Sequence, residues 1–299
     1  MQYTNAVQKL MAGEPPMTSF SGNFEDVILA RVFDGQENGF YVDIGAHHPI
    51  NGSNTHHFYM QGWRGINIEP AKSFSCFPQQ RAKDINLNIA ISNSDGRVEF
   101  EECDALLAIS QLSESDSSAR TLEHLDRDKI VVETRTMKSV LDEYLAQGQA
   151  IDFISIDVEG HEKQVLESND WKVYRPKVFC IEATLPFTNI PCHHDWDNIL
   201  TENNYHFAYF DGVNRFYVAT EAKHLLNRFH APLNVLDHFQ SNLTAQLRHQ
   251  NALLKDFYET VNGHSFDSRK TFPTTLRLPA RCASWVARVI NQFRLHRSE

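Results

Sequence analysis

FYVDIGAHHPINGSNTHHFY, residues Phe40 to Tyr59, is the stretch whose reading decides the fold. Phe40–Ile44 is apolar except for Asp43 and shows no polar alternation, the mark of a strand covered on both faces. Gly45 then breaks the run, and small and polar residues follow as far as Thr55. In an open α/β sheet, ligands lie beyond the carboxyl ends of the strands, near the point where strand order reverses. The polar turn is therefore either an ordinary strand-to-helix connection or part of a ligand site. Asp43 lies beside that strand end, and Gly45 allows a backbone conformation and a close approach that a Cβ would hinder.

Outward from this stretch, apolar runs at Gly39–Gly45, Gly65–Glu69, Asp84–Ser92, Ile151–Asp157 and Lys177–Glu182 read as strands. Helix-like segments lie between them at Ser53–Gln61, Lys72–Gln80, Met137–Ala146, Glu162–Glu167 and Asp195–Asn203. Alternation of this kind predicts an α/β fold, a parallel sheet with helices on both faces. HFAYF and RFYVA flank DGVN (Asp211–Asn214), which predicts a closing antiparallel hairpin. Gly96–Met137 is less regular, and its centre, SQLSESDSSAR (Ser110–Arg120), reads as a mobile loop. From about His224 the pattern changes to helix. The expected organisation is a lead-in over residues 1–23, a main domain over 24–223 and a helical C-terminal appendage over 224–299.

The chain has 299 residues, 41% of them hydrophobic, enough for one sizeable core and an appendage. A net charge of −10 and the lack of a basic stripe argue against a nucleic-acid partner. Cys76, Cys103, Cys180, Cys192 and Cys282 form no C-x-x-C pair and leave an odd count, which fits reduced thiols better than a disulfide framework. The first sixteen residues, MQYTNAVQKLMAGEPP, lack a signal-peptide core, and no run reaches membrane-spanning length. Together these features predict a soluble, cytoplasmic protein.

The turn after the first strand reads Gly-Ala-His-His-Pro-Ile-Asn-Gly rather than G-x-G-x-x-G, which disfavours a pyrophosphate cradle. A nucleoside cofactor without pyrophosphate remains, and S-adenosylmethionine fits. Glu69, ending the second strand, would take the ribose hydroxyls. The turn at Gly45, Ala46 and His47, with the helix opening at Ser53, Asn54 and Thr55, would take the amino-acid end. The plain alternative is a βαβ turn beside a surface glutamate.

YVDIGAHHP, then SNTHHFYMQGWRGINIEP, then FISIDVEGHEKQVL resemble the FkbM-type S-adenosylmethionine-dependent methyltransferases. The resemblance runs from about Phe24 to Ala219, and FDGVNRFYV is similar to the family's closing hairpin. It implies a Rossmann-like class I methyltransferase fold with a mostly parallel, seven-stranded sheet. It also implies O-methylation of a hydroxyl, often on a sugar of a capsule, lipopolysaccharide or related glycan, or on a polyketide-like natural product. Asp43, Gly45 and Glu69 would be cofactor contacts, with Asn88 and Ala90 near the adenine.

Methyl transfer from a sulfonium depends on alignment, and a sugar hydroxyl also needs a base or a metal to become nucleophilic. Asp157 ends the fourth strand, within the cofactor's reach, and Glu159 and His161 follow in the same turn. His161 is the expected base, with Glu159 orienting it or binding the acceptor; alternatively Asp157 only caps the next helix. Glu182, Asp211 and Asn214 are expected at the acceptor. Asp157 and Glu182 end neighbouring strands and together are candidate ligands for magnesium, with Asp211 a third. The pairs His47–His48 and His56–His57 and the run Cys192–Asp195 lack zinc spacing. FTNIPCHHDWD (Phe187–Asp197) reads as part of an acceptor pocket, in which Trp196 could equally belong to the core.

Two other classes compete: a nicotinamide-dependent oxidoreductase, disfavoured by the missing glycines, and a non-catalytic scaffold that keeps the fold. In RCASWVARVINQFRLHR (Arg281–Arg297), Cys282, Trp285, Val289 and Phe293 share a helical face, with Arg281, Arg288 and Arg294 on the polar side. That helix suggests docking on the body, self-association, or peripheral contact with the inner face of the membrane.

Overall fold

The computed structural model describes residues 5–102, 128–185 and 188–262. The expectations for Ser110–Arg120 and for the basic helix at Arg281–Arg297 fall outside the described residues. The chain divides into two units, Met1–Gln246 and Leu247–Glu299. What is described of the second is a run of the long helix Asn242–Asn262. No described helix is long and apolar enough to cross a membrane.

In the first unit the strands are β1 (Met17–Ser19), β2 (Phe40–Ile44), β3 (Arg64–Ile68), β4 (Ile85–Leu87), β5 (Ala90–Ile91) and β6 (Gly96–Glu102). They continue with β7 (Asp128–Arg135), β8 (Phe153–Ile156), β9 (Val178–Glu182), β10 (Tyr205–Phe210), β11 (Asn214–Ala219) and β12 (Phe239–Ser241). The central sheet is mixed, with order β10-β11-β9-β8-β2-β3-β4. β4, β3, β2, β8 and β9 run parallel, whereas β11 pairs antiparallel with β9 and with β10. The chain moves outward from β2 through β3 to β4 and then returns to β8 on the other side of β2. The carboxyl ends of β2 and β8 therefore border the switch point.

Continuous apolar strands form the core because both faces of the parallel strands are covered. Val42, Ile44, Ile66, Ile68, Ile154, Ile156, Phe179 and Ile181 are all buried in it. Helix α1 spans Asn5–Met11, and α2 (Glu25–Val32) presents Ile28, Leu29 and Val32 to that core. Tyr41, Phe58, Trp63 and Phe153 form an aromatic cluster beneath it, with Phe58 and Phe153 centroids 5.0 Å apart. Trp196 is core, as one of its two readings has it.

Two elements differ from the sequence reading. The helix expected over Ser53–Gln61 begins only at His56, as α3 (His56–Met60). The Ser53 hydroxyl oxygen accepts the amides of Thr55 and His56 and so holds the turn that leads into the helix, while the N-cap residue Thr55 turns its own hydroxyl to Asp43. The run Asp84–Ser92 is broken between β4 and β5, which belong to different sheets. At the break, the Asn88 side-chain amide donates to the carbonyls of Glu69 and Pro70 (2.8 and 3.2 Å), bending the chain out of the central sheet. β5 then joins β7 and β6 in a three-stranded sheet, with β6 and β7 forming a long antiparallel pair.

β1 pairs in parallel with β12, which links residues 222 positions apart. Asp26 fixes this edge, accepting from the Ser19 and Ser21 hydroxyls and the Phe20 amide. The helical turns Thr220–Phe229 pack Leu225 and Phe229 into the same core.

Candidate active site

At the switch point β2 turns sharply. Gly45 has φ +79, and the amides of Gly45 and Ala46 both donate to the Ile68 carbonyl at 3.0 Å. The Asp157 amide donates to the Ile44 carbonyl at 3.0 Å, so the ends of β2, β3 and β8 are tied together. Glu69 follows β3 and is buried. Its two carboxylate oxygens accept the amides of His47 (2.6 Å) and Ala71 (2.7 Å). The turn residue His47 has φ +51, which brings its amide to that carboxylate.

The polar residues after β2 hold one another. Asp43 accepts the Thr55 hydroxyl at 2.8 Å, and burial raises its carboxyl to about 6 against the opposing effects of Thr55 and Arg81. Asn54 donates to the Ser155 hydroxyl at 2.9 Å. Below them lies Arg81, fully buried. Its guanidinium donates to Tyr41 and Thr55 (2.8 Å each), to the Pro49 carbonyl (2.9 Å) and to Asp84 (3.0 Å). Asp84 also accepts the Tyr41 hydroxyl (2.7 Å) and the Gly65 amide (3.1 Å). Arg81 thus joins β2 and the turn before β4 to the loop that leads into α3. The sequence reading missed it; the signal was an Arg–Asp pair three residues apart in RAKD, followed by a strand.

The second group of site residues stands at the ends of β8 and β9. Asp157, Glu159 and Glu182 each place a carboxylate oxygen within 4.8 Å of the other two. Glu159 adopts φ +53 beside Gly160 at φ +97. The buried Glu162 fixes that turn by accepting the amides of Val158 (3.4 Å) and Gly160 (3.0 Å), and it opens α6 (Glu162–Glu167), which follows α4 (Phe77–Gln80) and α5 (Met137–Tyr144). Glu182 is buried, and its Oε2 has no hydrogen-bond partner among the described residues. Burial, then the Asp157 charge, pushes the Glu182 carboxyl far above the carboxylate range. Asp157 reaches solvent; desolvation at the strand end, then the Glu159 charge, raises its carboxyl too.

The other predicted residues lie around this cluster. His161 is exposed and pairs through Nε2 with the Ser92 hydroxyl at 3.2 Å; the three-carboxylate group does not include it. Asp211 Oδ1 accepts the amides of Val213 (2.8 Å) and Asn214 (2.6 Å) and so builds the hairpin turn. Asn214 lies opposite Glu182 across the β9–β11 ladder and donates its side-chain amide to Glu25 at 2.8 Å. Glu25, absent from the sequence reading, is buried at the start of α2, and burial raises it to about 7. A cavity of about 900 Å³ lies elsewhere, lined by α1, α2, His57, Trp63 and residues of the 230–238 segment. It shares no residue with the strand-end site.

The carboxyl ends of the parallel strands of this mixed α/β sheet thus bring a buried carboxylate to one side of the Gly45 turn and a carboxylate group to the other. The family model described as "Methyltransferase FkbM domain" matches residues 43–207, more than half of the chain. The chain belongs to that family, and the central multistrand sheet is compatible with a methyltransferase fold. No individual curated protein matches the chain.

Proposed function

We propose that this protein is an S-adenosylmethionine-dependent O-methyltransferase whose acceptor is a hydroxyl of a sugar or glycan. One juxtaposition carries the reading. Glu69 and the Asp157–Glu159–Glu182 group lie at the carboxyl ends of parallel strands of one sheet, on either side of the Gly45 turn. Donor and acceptor sites of a displacement reaction must adjoin in this way.

The residues present suit the donor. Glu69 offers a buried carboxylate oriented by two main-chain amides, an arrangement suited to two neighbouring ribose hydroxyls. Gly45, Ala46 and His47 form the turn beside it. Asp43, Ser53, Asn54 and Thr55 hold that turn in shape through Arg81 and Ser155. Asn88 and Ala90, past the end of β4, are the residues we assign to the adenine side. When bound, S-adenosylmethionine supplies an electrophilic methyl group on a sulfonium.

On the other side, Asp157, Glu159 and Glu182 form the polar wall against which the acceptor is oriented. His161, its ring tethered by Ser92, takes the proton of the reacting hydroxyl as the new C–O bond forms and the methyl–sulfur bond breaks, with neutral S-adenosylhomocysteine as the leaving group. Asp211 and Asn214 shape the far wall through the hairpin turn and Glu25. The test is methyl transfer from labelled S-adenosylmethionine to a panel of nucleotide sugars, oligosaccharides and polyketide-like alcohols, read by mass spectrometry. Labelled sugars support the proposal. Label only on non-sugar alcohols would move the acceptor class, and no label, with no thermal protection by S-adenosylhomocysteine, would defeat the reading.

A further inference from the structure

We propose that Asp157, Glu159 and Glu182 bind one hard divalent cation of the magnesium or manganese class. The binding itself follows from this group's geometry; the role given to the ion rests on the methyltransferase reading.

Oxygens bound to one magnesium at roughly 2.0–2.1 Å can be no more than about 4 Å apart, and to the larger calcium at roughly 2.3–2.6 Å no more than about 5 Å. One carboxylate oxygen from each of the three residues lies within 4.8 Å of the other two, so the group suits calcium spacing as it stands and closes to magnesium or manganese spacing by a sub-ångström shift of the side chains. A second observation is independent of this spacing. Glu182 is only 9% exposed, and its Oε2 is buried with no donor among the described residues; the side chain that Glu182 meets is the Asp157 carboxyl, an acceptor when ionised. A buried carboxylate oxygen left unpaired is costly, so native structures satisfy it with a donor, a water or an ion. No lysine or arginine among the described residues forms an ion pair with any of the three.

The donor set selects the ion. Three carboxylates with no sulfur or imidazole among them suit magnesium, manganese or calcium rather than zinc or copper. Three protein oxygens leave further positions on an octahedral ion for water and for an acceptor oxygen. In the methyltransferase reading the ion draws electron density from the acceptor hydroxyl, so that His161 removes a more acidic proton. Glu159 thereby acquires a ligand's role, and Asp211, engaged in its own turn, does not.

The test is a titration of the full chain with manganese followed by electron paramagnetic resonance, in which bound ion drops out of the free six-line signal. Wild type is expected to sequester about one manganese per chain, with magnesium competing. Glu182→Gln should weaken binding at least tenfold. Glu159→Gln, an exposed change on the turn, should weaken it too and serves if Glu182→Gln does not fold. Thermal protection by S-adenosylhomocysteine is measured on the same samples. No sequestration by wild type overturns the cation site; if the cofactor product still protects, the methyltransferase reading stands. Equal manganese affinity in wild type and both variants also overturns it.

Discussion

Gly45 and Asp157 are in direct backbone contact across the switch point: a Cβ built on Gly45 would lie 1.8 Å from the Asp157 carbonyl oxygen. Since Gly45 also has φ +79, Gly45→Ala must both strain its own backbone and push apart the ends of β2 and β8. The expected loss is on the order of 3 kcal/mol. In a domain of this size that lowers Tm by about 6–12 °C. Affinity for S-adenosylhomocysteine should fall with it. A melting curve within 1 °C of wild type would show that this contact does not constrain the turn.

Arg81 and Asp84 form an ion pair in which neither side chain is exposed. Removing one partner leaves the other charged and buried, so Arg81→Met should cost about 3–5 kcal/mol in urea unfolding. Replacing both, as Arg81→Met with Asp84→Leu, should recover a large part of that loss, although Tyr41 and Asn67 would lose partners as well. Single and double variants of equal stability would show that the charge pair is not the source of the loss.

The extent to which this architecture was legible in the sequence follows from the range of the interactions involved. The parallel strands could be read because each is a local apolar run, and Glu162–Glu167 and the closing hairpin carried their own helix and turn signals. The pairing of β1 with β12 could not be read. Each is three residues long, and the partner it has among the described residues lies at the other end of the first unit. The site divides in the same way. Asp157, Glu159 and Glu182 stand where strand ends place them, so their convergence was expected, except that Glu159 joins it as a close neighbour of both. Arg81 and Glu25 were passed over because their roles depend on burial: the RAKD spacing hinted at a pair, but a charged residue in a sequence reads as solvated until its surroundings are known.

Glu69→Ala removes the charged acceptor assigned to the ribose. Hydrogen bonds to a charged group contribute about 1.5–3 kcal/mol, so affinity for S-adenosylmethionine should fall roughly tenfold or more. The amides of His47 and Ala71 lose their acceptor in the same change, so calorimetry should be paired with a melting curve. Unchanged affinity in a folded variant would remove Glu69 from the donor site.

Glu25 gives a pH dependence with a definite sign. Burial raises its carboxyl from 4.5 to about 7, so between those values the folded protein holds a proton that the unfolded chain has released. Its contribution is therefore fully present below about pH 4.5 and is lost as pH rises to about 7. Glu25→Gln does not ionise and keeps an acceptor for Asn214. Relative to wild type, the variant should gain on the order of 3 kcal/mol between pH 4.5 and 7.5. Parallel stability curves across that range would show that Glu25 keeps an ordinary carboxyl in the fold.

His161 and Ser92 provide the most direct test of the chemistry. They stand on different elements, the turn before α6 and the residue following β5, and meet at 3.2 Å. His161→Gln keeps a hydrogen-bonding group near Ser92 but cannot serve as a base at neutral pH. Positioned proton transfer typically contributes 10²–10⁴-fold, so kcat should fall by about that much on whichever acceptor the labelled panel identifies. Affinity for S-adenosylhomocysteine should hold, because Glu69 and the Gly45 turn are untouched. Ser92→Ala removes only the tether; the imidazole remains but samples more orientations, so the loss should be smaller, about tenfold. That order, with His161→Gln far below Ser92→Ala and donor affinity equal in both, separates a base from a structural residue. If His161→Gln keeps wild-type kcat, the proton goes instead to solvent or to the carboxylate group.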